Sequence, residues 1–231
     1  MKTALQIAID GPAASGKTTV ARTLARRLDI LYLDTGAMYR ALAYLALHTR
    51  TEIDNEPALT NLCRDNNIGV TLDAGAPLGF RIFAGGRELD QADLDSNEVT
   101  AIVSTIAAHP AVRAAMVEEQ RRIADSASVV MAGRDIGTVV LPHAAVKIFL
   151  TASVRARVER RRAQLQAAGV DVSTHRLTEE IEERDRLDRN RAISPLVAAT
   201  DAHAIDSSDL DAEAVVDAIC AIAERARGGA P

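Results

Sequence analysis

A chain of 231 residues, 48% of them hydrophobic, can bury one sizeable α/β core without disulfide or metal staples. A formal net charge of −5 argues against a general nucleic-acid binder, which needs a basic face, yet leaves room for a local arginine cluster that holds a small anion. Two cysteines without metal-ligand spacing, Cys63 and Cys220, no leader-like start and no apolar run of membrane-spanning length together predict a soluble cytoplasmic protein.

In chain order, apolar runs of strand length occur at 5–9, 30–33, 129–132, 146–150 and 204–205, with helical patterns between them. Continuous apolar strands alternating with helices predict a five-stranded parallel sheet covered by helices on both faces. Residues 68–90 break that rhythm and predict a small antiparallel insert, with hairpin turns near Gly75-Ala76-Pro77 and Gly85-Gly86. Residues 155–191 break it again, with ten arginines in 37 positions. They predict a helical hairpin turning near Gly169, the form of an arginine-bearing lid. The last residues, 227–231, are expected to fray. No apolar stripe demands an oligomer, so a monomer is expected.

Gly11-Pro12-Ala13-Ala14-Ser15-Gly16-Lys17-Thr18 matches the phosphate-loop pattern G-x-x-x-x-G-K-[ST]. A strand feeds in at 5–9 and a helix leads out at 17–28, which is the context this chemistry requires. The glycines let backbone N–H groups turn inward around phosphate oxygens, and the helix N-terminus adds positive charge. Lys17 is placed for the β- and γ-phosphates of ATP, and the Thr18 hydroxyl for Mg²⁺. A regulatory GTPase would need a guanine-reading N-K-x-D, which is absent. A small kinase remains, with a phosphate loop, an acceptor site and a lid.

Three stretches read as the acceptor side. Asp34-Thr35-Gly36-Ala37-Met38-Tyr39-Arg40 opens a helix, with Thr35 as its expected N-cap and Arg40 suited to an anion. Gly133-Arg134-Asp135-Ile136-Gly137-Thr138 follows a core strand, where such folds bind ligands. Arg134 offers a fork for phosphate, and Asp135 an acceptor for a base amino group. The competing reading is an Arg134–Asp135 surface ion pair that closes a turn. Farther on, Arg184, Asp188 and Arg191 stand at i, i+4 and i+7 of one helical face, which Leu177 and Ile181 continue. They suit two phosphates and a ribose, or equally a solvated helix laced with ion pairs.

The stretches IDGPAASGKTT, LDTGAMYRALA, AGRDIGTVVLP, VKIFLTAS and ERDRLDRNRAISPL together resemble the bacterial cytidylate kinases, members of the nucleoside monophosphate kinases, from about residue 7 to 207. The resemblance implies a core of about 1–40, 115–153 and 192–231, a monophosphate-binding region of about 41–114 carrying the β insert, and a lid of about 154–191. It implies phosphoryl transfer from ATP, with Mg²⁺, to CMP or dCMP. Cytosine contacts fall on Ser104, Arg113 and Asp135, and monophosphate contacts on Arg40, Arg134 and Arg191. Arg184 and Asp188 match the sugar-contacting pair. Lys17, Arg134, Arg184 and Arg191 are the expected catalytic cations. Residues 11–18 with Thr19 bind ATP, joined by a lid arginine from among Arg155, Arg157 and Arg160, with Arg157 preferred. Other small P-loop kinases, acting on UMP, AMP or shikimate, are the nearest alternative. A P-loop regulatory module is a more distant one.

Overall fold

The computed structural model describes residues 4–73, 76, 80–167 and 169–228. Five parallel strands form the core sheet: β1 (Gln6–Asp10), β2 (Leu31–Asp34), β6 (Val129–Gly133), β7 (Val146–Thr151) and β8 (His203–Asp206), in the spatial order β2-β6-β1-β7-β8. Each lies within one or two residues of an apolar run read from the sequence. Every residue of β6 is buried, as expected for a central strand covered on both faces.

Helix α1 (Lys17–Leu28) joins β1 to β2 and buries Val20, Ala21, Leu24 and Ala25, a stripe at helical spacing. It packs against α9 (Ala212–Gly228). On the acceptor side, α2 (Thr35–Thr49) packs on α5 (Asn97–Ile106), and α3 (Glu56–Asp65) on α6 (Pro110–Ser126), with the short α4 (Gln91–Leu94) beside α2. Asn55 and Ser96 cap α3 and α5 by accepting from backbone N–H groups three residues on.

The insert between α3 and α4 is a three-stranded antiparallel sheet of β3 (Gly69–Leu72), β4 (Phe80–Ala84) and β5 (Arg87–Glu88). Gly85 and Gly86 make the two-residue turn between paired Ala84 and Arg87, both at positive φ (61° and 75°), as a tight hairpin turn demands. Of the other expected turn, Gly75 and Pro77 lie outside the described residues. Between β7 and β8 stands the second departure, a hairpin of α7 (Val154–Ala167) and α8 (Thr174–Arg189). Gly169 at φ 76° sits in its turn, and Ser173 caps α8. The hairpin has its own small apolar cluster of Val158, Leu177 and Ile181, against which Ala14 of the phosphate loop packs. Arg227 and Gly228 close α9, and the remaining tail residues lie outside the described set.

Candidate active site

The phosphate loop occupies the turn from β1 into α1. Gly11 at φ 152° passes so close to β7 that a Cβ would stand 2.0 Å from the Leu150 carbonyl oxygen, so only glycine fits. Ala14, an L-residue at φ 56°, and Gly16 at φ 91° complete a left-handed winding. A non-glycine in that region carries backbone strain, and such strain concentrates at functional loops. Lys17 is buried, and its ammonium donates to the Pro12 carbonyl at 2.6 Å and contacts Ser15 Oγ at 3.4 Å. Thr18 and Thr19 are exposed on the first turn of α1.

Across the crevice, Asp34 ends β2 and caps α2 by accepting from Gly36 N at 3.0 Å. Thr35 is therefore not the cap. It is the first helical residue, and its hydroxyl donates to the Ala132 carbonyl at 3.0 Å, tying α2 to β6. A Cβ on Gly133 would stand 2.6 Å from that hydroxyl, so this close approach needs glycine. Arg40 pairs with Asp34 at 3.2 Å and reaches Asp95 at 3.6 Å.

Past the end of β6, Arg134 and Asp135 do not pair with each other as a surface turn would. Asp135 is buried and bonded to Arg113 of α6, which also donates to the Ala107 carbonyl at 3.0 Å and lies 5.4 Å over the Tyr39 ring. Arg134 donates to the Asp188 carboxylate of α8 at 2.6 Å. Ser104, the third expected cytosine contact, is half-buried on α5 and bonds to neither Arg113 nor Asp135 among the described residues.

Leu177 and Ile181 dock α8 as expected, but the even spacing of Arg184, Asp188 and Arg191 on one helical face does not hold to its end. The helix stops at Arg189, and Arg191 lies beyond it. The chain doubles back there, with Leu196 N donating to the Asp188 carbonyl at 2.8 Å. This return brings Arg191 to the same carboxylate at 3.6 Å. Asp188 is thus buried between two guanidiniums rather than presented on a solvated face.

The electrostatics of this cluster are lopsided. Burial, with Arg134 and Arg184 nearby, pushes the Lys17 ammonium well below its ordinary value. Burial, with Arg134, Arg40 and Arg161 nearby, lowers Arg184 to about 10. Burial lowers Arg191 too, with Arg113 and Arg134 adding to the effect. Burial opposes ionisation of Asp188, but Arg134 and Arg191 outweigh it and hold its carboxyl below the usual range. Positive charge exceeds what Asp34, Asp135 and Asp188 neutralise, an arrangement that favours an anion. Tyr39, buried against Arg113, has its hydroxyl raised to about 12, chiefly by burial.

The arginines of α7 divide. Arg155 is exposed and pairs with Glu159 at 2.9 Å. Arg157 is only 3% exposed, and its guanidinium binds Asp185 of α8 at 2.7 Å and the carbonyls of Ala13 and Ala152. Its Nε and Nη1 clamp the base of the hairpin to the phosphate loop. Arg160 donates to Ser207, whose hydroxyl bonds the Ser15 carbonyl at 3.2 Å. Asp34, Asp185 and Ser207 were not singled out from the sequence. Nor was Asp10, whose buried carboxylate accepts from Ile136 N at 2.8 Å and Gly137 N at 2.7 Å. Burial raises the Asp10 carboxyl to about 6 against the lowering effect of those two amides. A charge closing an otherwise apolar buried strand, directly before Gly11, is the signal that could have found it.

A phosphate loop, an opposed arginine-rich anion site and a helical hairpin rooted on both define a P-loop phosphotransferase. The family model for cytidylate kinase matches residues 7–225, and the chain belongs to that family. It is 47% identical over 229 residues to the cytidylate kinase of Anoxybacillus flavithermus, covering 99% of this chain and 100% of that protein. It is 48% identical over 215 residues to the cytidylate kinase of Enterococcus faecalis, covering 93% of each. Among solved structures, an uncharacterized protein from Eubacterium ventriosum aligns with a TM-score of 0.52 at 13% identity over 95% of this chain and 98% of that one, a likeness of fold.

Proposed function

We propose that this chain transfers the γ-phosphoryl group of ATP to the 5′-phosphate of CMP or dCMP, giving CDP or dCDP in pyrimidine nucleotide metabolism. The observation that carries it is the closeness of Lys17 to Arg134 and Arg184, with the Arg134–Asp188–Arg191 cluster and the buried Arg113–Asp135 pair beside them. The names of full-length relatives at 47% identity point to the same acceptor.

The phosphate loop holds the ATP phosphates, and Lys17 turns from the Pro12 carbonyl to the transferred group. Arg40, Arg134 and Arg191 hold the acceptor phosphate. Arg113 and Asp135 present one donor edge and one acceptor edge to a base, the pattern that cytosine complements with its carbonyl and amine. Asp188, once the phosphate takes its guanidinium partners, is free to bind sugar hydroxyls with Arg184. The acceptor needs no general base, because the second pKa of a phosphate monoester is about 6 and the nucleophilic oxygen is already anionic at neutral pH. Rate then comes from alignment and charge neutralisation.

Among the described residues, no group of three or more His, Cys, Asp and Glu is placed to cage a metal. Thr18 offers a single hydroxyl on α1, which suits Mg²⁺ held mainly by phosphate oxygens and water. When bound there, Mg²⁺ neutralises phosphate charge. The hairpin of α7 and α8 acts as a lid that excludes water from the crevice. We place the enzyme in the cytoplasm as a monomer.

The test is ADP release from ATP and Mg²⁺ with CMP, dCMP, UMP, AMP, GMP and dTMP added one at a time. Turnover highest with CMP and dCMP is expected. Turnover led by another monophosphate would discard Arg113 and Asp135 as a cytosine site.

A further inference from the structure

We infer that Asp10 is a positioning residue that aims the base-reading carboxylate of Asp135 by gripping the two backbone amides that follow it. The inference rests on the acceptor reading proposed above.

Asp10 is the last residue of β1, and in the sheet register it stands beside Gly133 of β6. Its two carboxylate oxygens each take one amide, from Ile136 at 2.8 Å and Gly137 at 2.7 Å. Those are the opening residues of a single π-helical turn, Ile136–Val140. The first N–H groups of any helical turn have no partner within it and need an acceptor from outside. The local candidate is Asp135, the residue at the N-cap position, but it makes no capping bond, because its carboxylate is bonded to Arg113. Asp10 supplies the missing cap from a different strand, 126 residues away. That exchange releases Asp135 for the pocket.

Geometry leaves little freedom in the arrangement. A Cβ on Gly137 would stand 3.3 Å from the Lys147 stem, tighter than most side-chain contacts, and would touch Asp10 Oδ2 at 3.4 Å. The Lys147 ammonium is itself held, donating to the Pro142 carbonyl at 2.6 Å and to Asp201 at 2.9 Å. The π-turn is therefore pinned at its N-terminus and hemmed at Gly137. Asp135 and Arg134 hang from its start. Because Asp10 also leads directly into Gly11, the grip gives the donor loop and the acceptor loop one shared anchor.

The test compares wild type, Asp10→Asn and Gly137→Ala on CMP and UMP, with ATP affinity measured alongside. In Asp10→Asn the side-chain NH₂ faces a backbone N–H, so one of the two bonds is lost outright and the other is no longer charge-assisted. The KM for CMP is expected to rise on the order of tenfold, and the preference for CMP over UMP to fall by a similar factor, while KM for ATP changes less than about threefold. Gly137→Ala, which only nudges the carboxylate, should shift CMP preference in the same direction by less. The double variant Asp10→Asn/Asp135→Asn should lose no more selectivity than Asp135→Asn alone, because both act through one carboxylate. Unchanged CMP preference in either single variant overturns the inference, as does an equal rise in KM for ATP and CMP. Should Asp10→Asn fail to fold, Gly137→Ala decides alone. A wild type that does not prefer CMP would instead refute the acceptor reading itself.

Discussion

Arg134 and Asp188 lie 54 residues apart in the chain and meet at 2.6 Å, joining the end of β6 to α8. Neither side chain would hold its place alone. Arg134 stands among Lys17 and Arg184, and Asp188 is buried. An ion pair thus ties the strand end after β6 to the helical hairpin.

Removing the carboxylate should therefore hurt folding as well as binding. Asp188→Ala leaves Arg134 and Arg191 without their shared partner. Breaking a buried pair from one side costs about 3–5 kcal/mol, and urea unfolding should register a loss of that order. The folded pKa of Asp188 lies below the ordinary 3.8, so the contribution is full above that pH and is lost as pH falls below it. Wild type and variant should converge in stability in acid. Parallel profiles down to pH 3 would contradict this.

Asp10 has the opposite sign. Its folded pKa of about 6 exceeds the ordinary 3.8, so the folded protein favours the protonated form. That contribution is complete below about pH 4 and is lost as pH rises through 6. Between pH 4 and 7 the nucleotide-free wild type should lose stability relative to Asp10→Asn, on the order of 2–3 kcal/mol. Chemical unfolding at several pH values reads this directly. A constant difference between the two proteins would place the carboxylate in a different environment.

Arg157 separates a structural clamp from a ligand contact. The resemblance directed it to ATP, but its guanidinium is bound to Asp185 and two carbonyls. Arg157→Ala should lower stability by about 3 kcal/mol or more, as expected when a buried pair is opened. A variant of wild-type stability whose only defect is a raised KM for ATP would restore the ligand role.

Lys17→Ala should lower kcat by roughly 10²–10³, in line with about 3–4 kcal/mol for an electrostatic donor that acts on developing charge. Initial rates at saturating ATP and CMP give the figure. Near-normal turnover would remove Lys17 from the reaction.

Much of the scaffold was legible in local pattern. The strands declare themselves as short apolar runs, the phosphate loop by its eight-residue motif, and the helical hairpin by its arginines and Gly169. The site was legible as a set of residues but not as an arrangement. Thr35 looked like a cap because a hydroxyl before a helix usually is one, whereas the neighbouring Asp34 is the stronger acceptor and took that place. Arg191 looked helical because spacing cannot show where a helix stops, and the return of Leu196 onto the Asp188 carbonyl is a loop contact without a periodic signature. Asp10, Asp185 and Ser207 act through partners 126, 28 and 192 residues away, respectively, counted from Asp10 to Ile136, Asp185 to Arg157 and Ser207 to Ser15. Such pairings follow from sheet order and, for Asp185 with Arg157, from the packing of two helices, neither of which a single segment encodes.

The central claim is direct transfer between two nucleotides. Incubating the protein with γ-labelled ATP, Mg²⁺ and CMP, then separating the products, tests it in one step. Label recovered in CDP is the predicted result. Label released as inorganic phosphate, at a rate indifferent to CMP, would contradict it.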